Sequence, residues 1–176
     1  MIICARIRRC LFKHFPSIAA KGSIRRKQFM LIREMIFEDI PRLAEIYSQF
    51  WSTGSSSNIS RMKAVFPELQ KRDSYIILSA VEENELIGSV MGIVCDELYG
   101  ECRPFLVLEN LIVDKQHRRK GAARSLLAEM EKRAKERGCW QIILVTEANR
   151  NDAYEFYKAN GFQLDNAGFK KKLVLG

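Results

Sequence analysis

The sequence predicts a mixed α+β domain: a central mixed, mostly antiparallel sheet with one βαβ crossover and flanking helices. Three observations carry this. Two apolar strand patterns, Tyr75–Val81 and Leu86–Cys95, are joined by the four residues Glu82–Glu85, a hairpin-length link. A strand pattern at Phe105–Val113 is followed by helical spacing to about Arg137 and then by the unbroken apolar run Ile142–Val145. Such a strand–helix–strand unit is a parallel crossover, expected to be right-handed, with a buried second strand. Finally, Phe162–Leu164 and Phe169–Leu175 flank the turn D-N-A-G and predict a closing hairpin.

The remaining elements follow in order. Leu31–Met35 reads as a first strand. Asp39 and Pro41 suit a helix start, and Ile40, Leu43, Ile46, Tyr47 and Phe50 recur at helical spacing to about Trp51. Tyr47, Phe50 and Trp51 are core residues or pocket wall. Ser52–Ser60 is a polar loop, and Pro67 is expected to separate two short helical pieces, Arg61–Phe66 and Glu68–Arg72. In the crossover helix Ala123, Leu126, Leu127, Met130 and Ala134 share one face, Glu129–Arg133 and Glu131–Lys135 are spaced for ion pairs, and Gly138 suits the cap. Ala153, Phe156 and Tyr157 mark a last helix that ends at Asn160–Gly161.

Composition narrows the function. A chain of 176 residues is one domain with room for a core. It holds no apolar run near the roughly 18 residues that span a bilayer. The net charge of +8 suggests nucleic acid until it is located. Residues 1–29 hold eight Lys or Arg and no acid, which leaves 21 basic and 21 acidic residues in the rest. The charge therefore belongs to a tail, which argues against a phosphate-tracking face on the domain at 30–176. The tail reads as a poorly ordered extension, an over-long start before Met30, a transit peptide, or an arm for a membrane surface or nucleic acid. Five cysteines without a C-x-x-C pair, and two histidines, argue against zinc and for a reducing, cytoplasmic setting; no metal is expected.

The chemistry gathers after the Phe105 strand. Arg118, Arg119 and Lys120 precede Gly121, Ala122 and Ala123 at a helix start. Amides left over at a helix N-terminus, the macrodipole and three cations together make an anion cradle that small residues let a ligand approach. Glu109 interrupts an otherwise apolar strand. A carboxylate there is either buried and used, or sits at a bulge facing solvent.

R-R-K-G-A-A at Arg118–Ala123 fits the Arg/Gln-x-x-Gly-x-Gly/Ala loop of the GNAT superfamily of acetyl-CoA-dependent N-acetyltransferases, and the chain resembles that family from Leu31 to Leu175. N-D-A-Y-E-F-Y-K-A-N-G-F at Asn151–Phe162 is similar to its second signature. The resemblance implies acetyl-CoA as acyl donor, with pyrophosphate on Arg118, Arg119, Lys120, Gly121, Ala122 and Ala123, and pantetheine along Leu111, Ile112 and Val113. Ser125, Asn149, Asn151 and Tyr154 are expected near the cofactor; the asparagines also suit helix capping. Tyr157 matches the family's tyrosine facing the sulfur, a general acid, and Glu109 matches a strand position that holds a base in several members. V-T-E-A-N at Val145–Asn149 departs from the Glu-Val-Arg stretch of the branch that acetylates ribosomal-protein N-termini.

The expected reaction is direct attack of a primary amine on the thioester. A lysine-like amine costs about 4–5 kcal/mol to deprotonate at pH 7 and an α-amine about 1, so a base is useful. The acceptor, small molecule or protein, should lie between the Ser52–Ser60 and Asp96–Arg103 loops and the D-N-A-G turn, where Asp96, Glu97, Glu101 and Asp165 would suit a cation. The competing class is a non-catalytic acyl-CoA-binding module, and a homodimer is left open.

Overall fold

The computed structural model describes residues 29–50, 58–147 and 149–173. The tail before Phe29, Trp51, most of the Ser52–Ser60 loop and the end of the expected last strand lie outside the described residues. The elements are β1 (Met30–Glu34), α1 (Ile40–Ser48), α2 (Ile59–Gln70), β2 (Tyr75–Glu82), β3 (Glu85–Cys95), β4 (Phe105–Val113), α3 (Ala122–Glu136), β5 (Ile142–Ile143) and α4 (Asn151–Ala159). Short 3-10 turns at Phe37–Asp39 and Lys115–His117 lead out of β1 and β4.

The five strands lie in the order β1-β2-β3-β4-β5, antiparallel except for the β4–β5 pair. The β2–β3 hairpin turns through Glu83 and Asn84, both at positive φ (50° and 67°), which matches the twist of the strands without a glycine. Alternation along the strands loads both faces of the sheet. Leu78, Val90, Leu106 and Leu108 meet Leu126, Leu127 and Met130 of α3. Leu86 and Ile112 meet Ile40, Leu43, Ile46 and Phe66 of α1 and α2. Gly92 makes room for α3, because a Cβ there would stand 2.6 Å from the Met130 sulfur.

Three expectations change. Pro67 lies inside the continuous helix α2 and does not divide it. The proline removes one N–H from the ladder, and the burial of Phe66 beside Met62 against α1 offsets that loss. The run Ile142–Val145 forms a two-residue strand at the sheet edge and is not buried, with Val145 72% exposed. Its outer side has no strand partner because residues 162–173, expected to begin a hairpin, carry no strand and are exposed except for Phe162. The Glu129–Arg133 pair forms at 2.9 Å, whereas among the described residues Glu131 and Lys135 form none.

Candidate functional site

β4 enters the site with a fault in its pairing. Glu109 faces Met91 and Ile112 faces Ser89, so Asn110 and Leu111 together oppose Val90 in a bulge. Asn110 takes a positive φ of 54°, which asparagine tolerates better than most residues. On its other side β4 pairs with β5 only at Leu106↔Ile142 and Val107↔Ile143. From Leu108 onward that side has no strand partner among the described residues, because β5 ends at Ile143. Glu109 is exposed beside the bulge and is not a buried carboxylate. Leu111 is half-buried, and Ile112 and Val113 are buried as they pair back onto β3.

The chain leaves β4 through Asp114 and the Lys115–His117 turn, runs extended at Arg118, and reverses at Arg119 (φ 60°) and Gly121 (φ 95°). A Cβ at Gly121 would meet nothing within 4 Å, so the glycine serves its backbone angle and leaves open space above the loop. Arg118, Arg119, Lys120 and Gly121 are exposed, Ala123 and Ser125 half-buried, while Ala122 is buried in the core and seats the helix. The amides of Arg119 to Arg124 donate to no backbone acceptor among the described residues; Ser125 is the first to close a turn, onto the Gly121 carbonyl at 3.0 Å. Free amides at the positive end of α3, beside three cations, fit an anion the size of a phosphate.

A buried carboxylate stands where the loop begins. Asp114 is 2% exposed and accepts four hydrogen bonds. Oδ2 takes Arg42 Nη2 at 2.9 Å and Gln49 Nε2 at 2.7 Å; Oδ1 takes the Gln116 amide at 2.8 Å and faces His117 Nδ1 at 3.2 Å. Burial alone would raise this carboxyl, but the donors and the Arg42 charge outweigh it and hold it at about 2. His117 Nε2 lies 3.6 Å from the buried Glu82 Oε2. Gln49 Oε1 also accepts the Lys115 amide at 3.0 Å, and the Arg118 guanidinium lies 4.5 Å from the centre of the Phe50 ring. Sequence reasoning missed Asp114 and Gln49, because a polar residue after a strand and one at a helix end carry no mark of burial.

Tyr157 stands on α4, half-buried, with its ring edge-on to Phe156 at 5.3 Å and Phe162 at 5.5 Å. Burial pushes its phenol above the ordinary value; the Arg150 charge opposes this and the Glu109 charge adds to it. The Glu109 charge thus reaches the Tyr157 phenol. Tyr154 and Tyr157 line a cavity of about 860 Å³ that lies along the outer side of β5 and is closed by Asn160–Gly168. None of Arg118–Ala123 lines it, so the cavity and the loop are separate spaces. Asn149 and Asn151 are exposed at the α4 start and do not cap it; Arg150 is the N-cap residue and pairs with Asp152 at 2.8 Å.

The profile of the Acetyltransferase (GNAT) family matches residues 40–162. A search of curated proteins finds no match. Among solved structures, glucosamine-6-phosphate N-acetyltransferase from Arabidopsis thaliana superposes with a TM-score of 0.73 at 19% identity, over 83% of this chain and 99% of that one. A GNAT family acetyltransferase from Staphylococcus aureus gives 0.68 at 24%, over 82% and 98%. An aminoglycoside N-acetyltransferase in complex with CoA gives 0.72 at 20%, over 86% and 99%. These identities establish the shared fold, and the profile, which covers the bulged strand, the anion loop and the α4 tyrosines, establishes the lineage: the chain belongs to the acetyltransferase (GNAT) family.

Proposed function

We propose that the protein is an N-acetyltransferase that moves an acetyl group from acetyl-CoA to a primary amine. The observation that carries this is the family match over residues 40–162, and three features inside it support the reading: the uncommitted amides of Arg119–Arg124, the exposed carboxylate of Glu109 and the raised phenol of Tyr157. Acetyl-CoA, when bound, supplies the thioester carbonyl and a negatively charged pyrophosphate.

The residues divide the work. The Arg119–Arg124 amides and the cations of Arg118, Arg119 and Lys120 take the negative charge. The strand β4 offers Leu111–Val113 to an extended polar arm, with Asn149, Asn151, Tyr154 and Ser125 on the α3 and α4 sides. Glu109 accepts the proton that an ammonium must lose before it can attack. Tyr157, held in its protonated form at neutral pH, donates to the departing thiolate. Asp165 lines the cavity beside Tyr157 and gives a cationic acceptor a partner there. A small-molecule amine suits this arrangement, as does a protein amine reaching in from solvent. A cytoplasmic location belongs to the same reading, and no helix among the described residues is long and apolar enough to cross a membrane.

The test is thiol release from acetyl-CoA with a panel of amines, run on the wild type and on Tyr157→Phe. Turnover that Tyr157→Phe abolishes supports the enzyme. CoA binding without turnover on a broad panel would assign the chain to acyl-CoA binding alone.

A further inference from the structure

The anion loop is attached to a helix far from it in sequence, and the attachment has more parts than charge balance needs. Arg42 alone places a cation 2.9 Å from Asp114. Gln49 adds no charge. Its amide nitrogen donates to Asp114 Oδ2 and its amide oxygen accepts from the Lys115 N–H, one bond to each of two consecutive residues. A neutral group with both ends engaged fixes direction rather than charge, and here it fixes the direction in which the chain leaves β4. The next residue, Phe50, has its ring 4.5 Å from the Arg118 guanidinium and 5.5 Å from the Lys115 ammonium, so the turn that closes α1 also carries two cations of the loop region. The C-terminal end of a helix dipole favours cations at that place.

The other end of α1 offers an internal reference. Asp39 is equally buried and equally satisfied: Arg33 reaches it through two bonds of 2.7 and 2.8 Å, Ser79 Oγ at 2.8 Å and the Ile36 amide at 3.1 Å. All its partners belong to β1, β2 and the turn between β1 and α1, and none touches the loop. One carboxylate hub anchors the helix to the sheet, and the other anchors the loop to the helix.

We infer that Gln49, Phe50 and Asp114 are positioning residues for the CoA-binding loop: through them the turn that closes α1 sets the direction of the loop amides and of Arg118. The inference rests on the reading of that loop as the pyrophosphate site. It places the determinants of donor affinity partly on α1, on residues that need not touch the donor themselves.

The experiment is calorimetric titration of the full chain with CoA, well below the unfolding temperature, with unfolding followed in parallel. Gln49→Met keeps length and helix preference but loses both bonds; Phe50→Leu loses the ring. Each is expected to raise the CoA dissociation constant roughly 5–10-fold, the loss of one or two modest interactions. Phe50→Trp restores a cation-binding ring and should stay within about twofold of the wild type. Asp39→Asn should lower the unfolding temperature and leave CoA affinity unchanged. Wild-type affinity in both Gln49→Met and Phe50→Leu overturns the inference, and so does an equal loss in Asp39→Asn, which would make the effect one of general destabilisation. A wild type that binds no CoA removes the proposed function and the inference together.

Discussion

The two long sides of β4 are built differently. Toward β3 it pairs from Phe105↔Cys95 to Val113↔Gly88, with one bulge taken up at Asn110 and Leu111. Toward β5 it pairs at Leu106 and Val107, where the two-residue strand β5 ends. The paired side carries the apolar pattern that locks register, since a one-residue slip would turn Leu106, Leu108 and Ile112 to the wrong faces. The open side begins at Leu108, just before the exposed Glu109, and the strand then runs on to Val113 and the Arg118–Ala123 loop. A strand can supply both stability and an uncommitted edge only if the two tasks fall on opposite sides, and in β4 the bulge interrupts the pairing with β3 without ending it.

The contrast can be broken from either side. The largest expected effect is on the packed side: Leu126→Ala, in the α3 layer that braces the sheet, should cost about 2–5 kcal/mol in urea unfolding. If the loss is below 1 kcal/mol, α3 is not holding the sheet. On the open side, Tyr157→Phe should lower kcat about 100-fold with little change in the KM for acetyl-CoA, as for loss of a general acid. An unchanged kcat would return Tyr157 to the role of a packing ring beside Phe156 and Phe162. Gly88→Ala tests the paired side by itself: a Cβ there would stand 2.8 Å from the Ile112 carbonyl oxygen. It should destabilise by roughly 1–3 kcal/mol while folded protein binds CoA as before; weaker CoA binding would mean the two sides are coupled.

The smallest effect concerns acid. Asp114 has a folded-state value of about 2, below its ordinary 3.8, so its contribution is complete above the ordinary value and is lost as pH falls toward about 2. The shift corresponds to roughly 2 kcal/mol. Asp114→Asn should flatten the fall in stability between about pH 4 and pH 2, read from urea midpoints at a series of pH values. An acid limb as steep as that of the wild type would show that other carboxylates govern it.

Much of the fold was legible because it is written in local period. The β4 bounds, Phe105–Val113, agree between pattern and structure, as do the α3 face and the stop at Gly138, where φ is 73°. The anion loop was legible for the same reason: three cations, a glycine and a helix start are neighbours in sequence. Pro67 misled because a local breaker competes with burial of Phe66, and burial depends on what α1 presents to it.

The sequence by itself determined the strand and helix periods, the loop chemistry and the family motifs, all of them interactions between residues a few positions apart. Tertiary structure decided the rest. It brought Gln49 to Asp114 across 65 residues and Arg42 across 72, turned Glu109 to solvent, and left β5 without a strand on its outer side among the described residues. Periodicity records which face of an element is apolar. It does not record which distant element will meet that face, so a polar residue that becomes a buried hub looks, in the sequence, like any other polar residue.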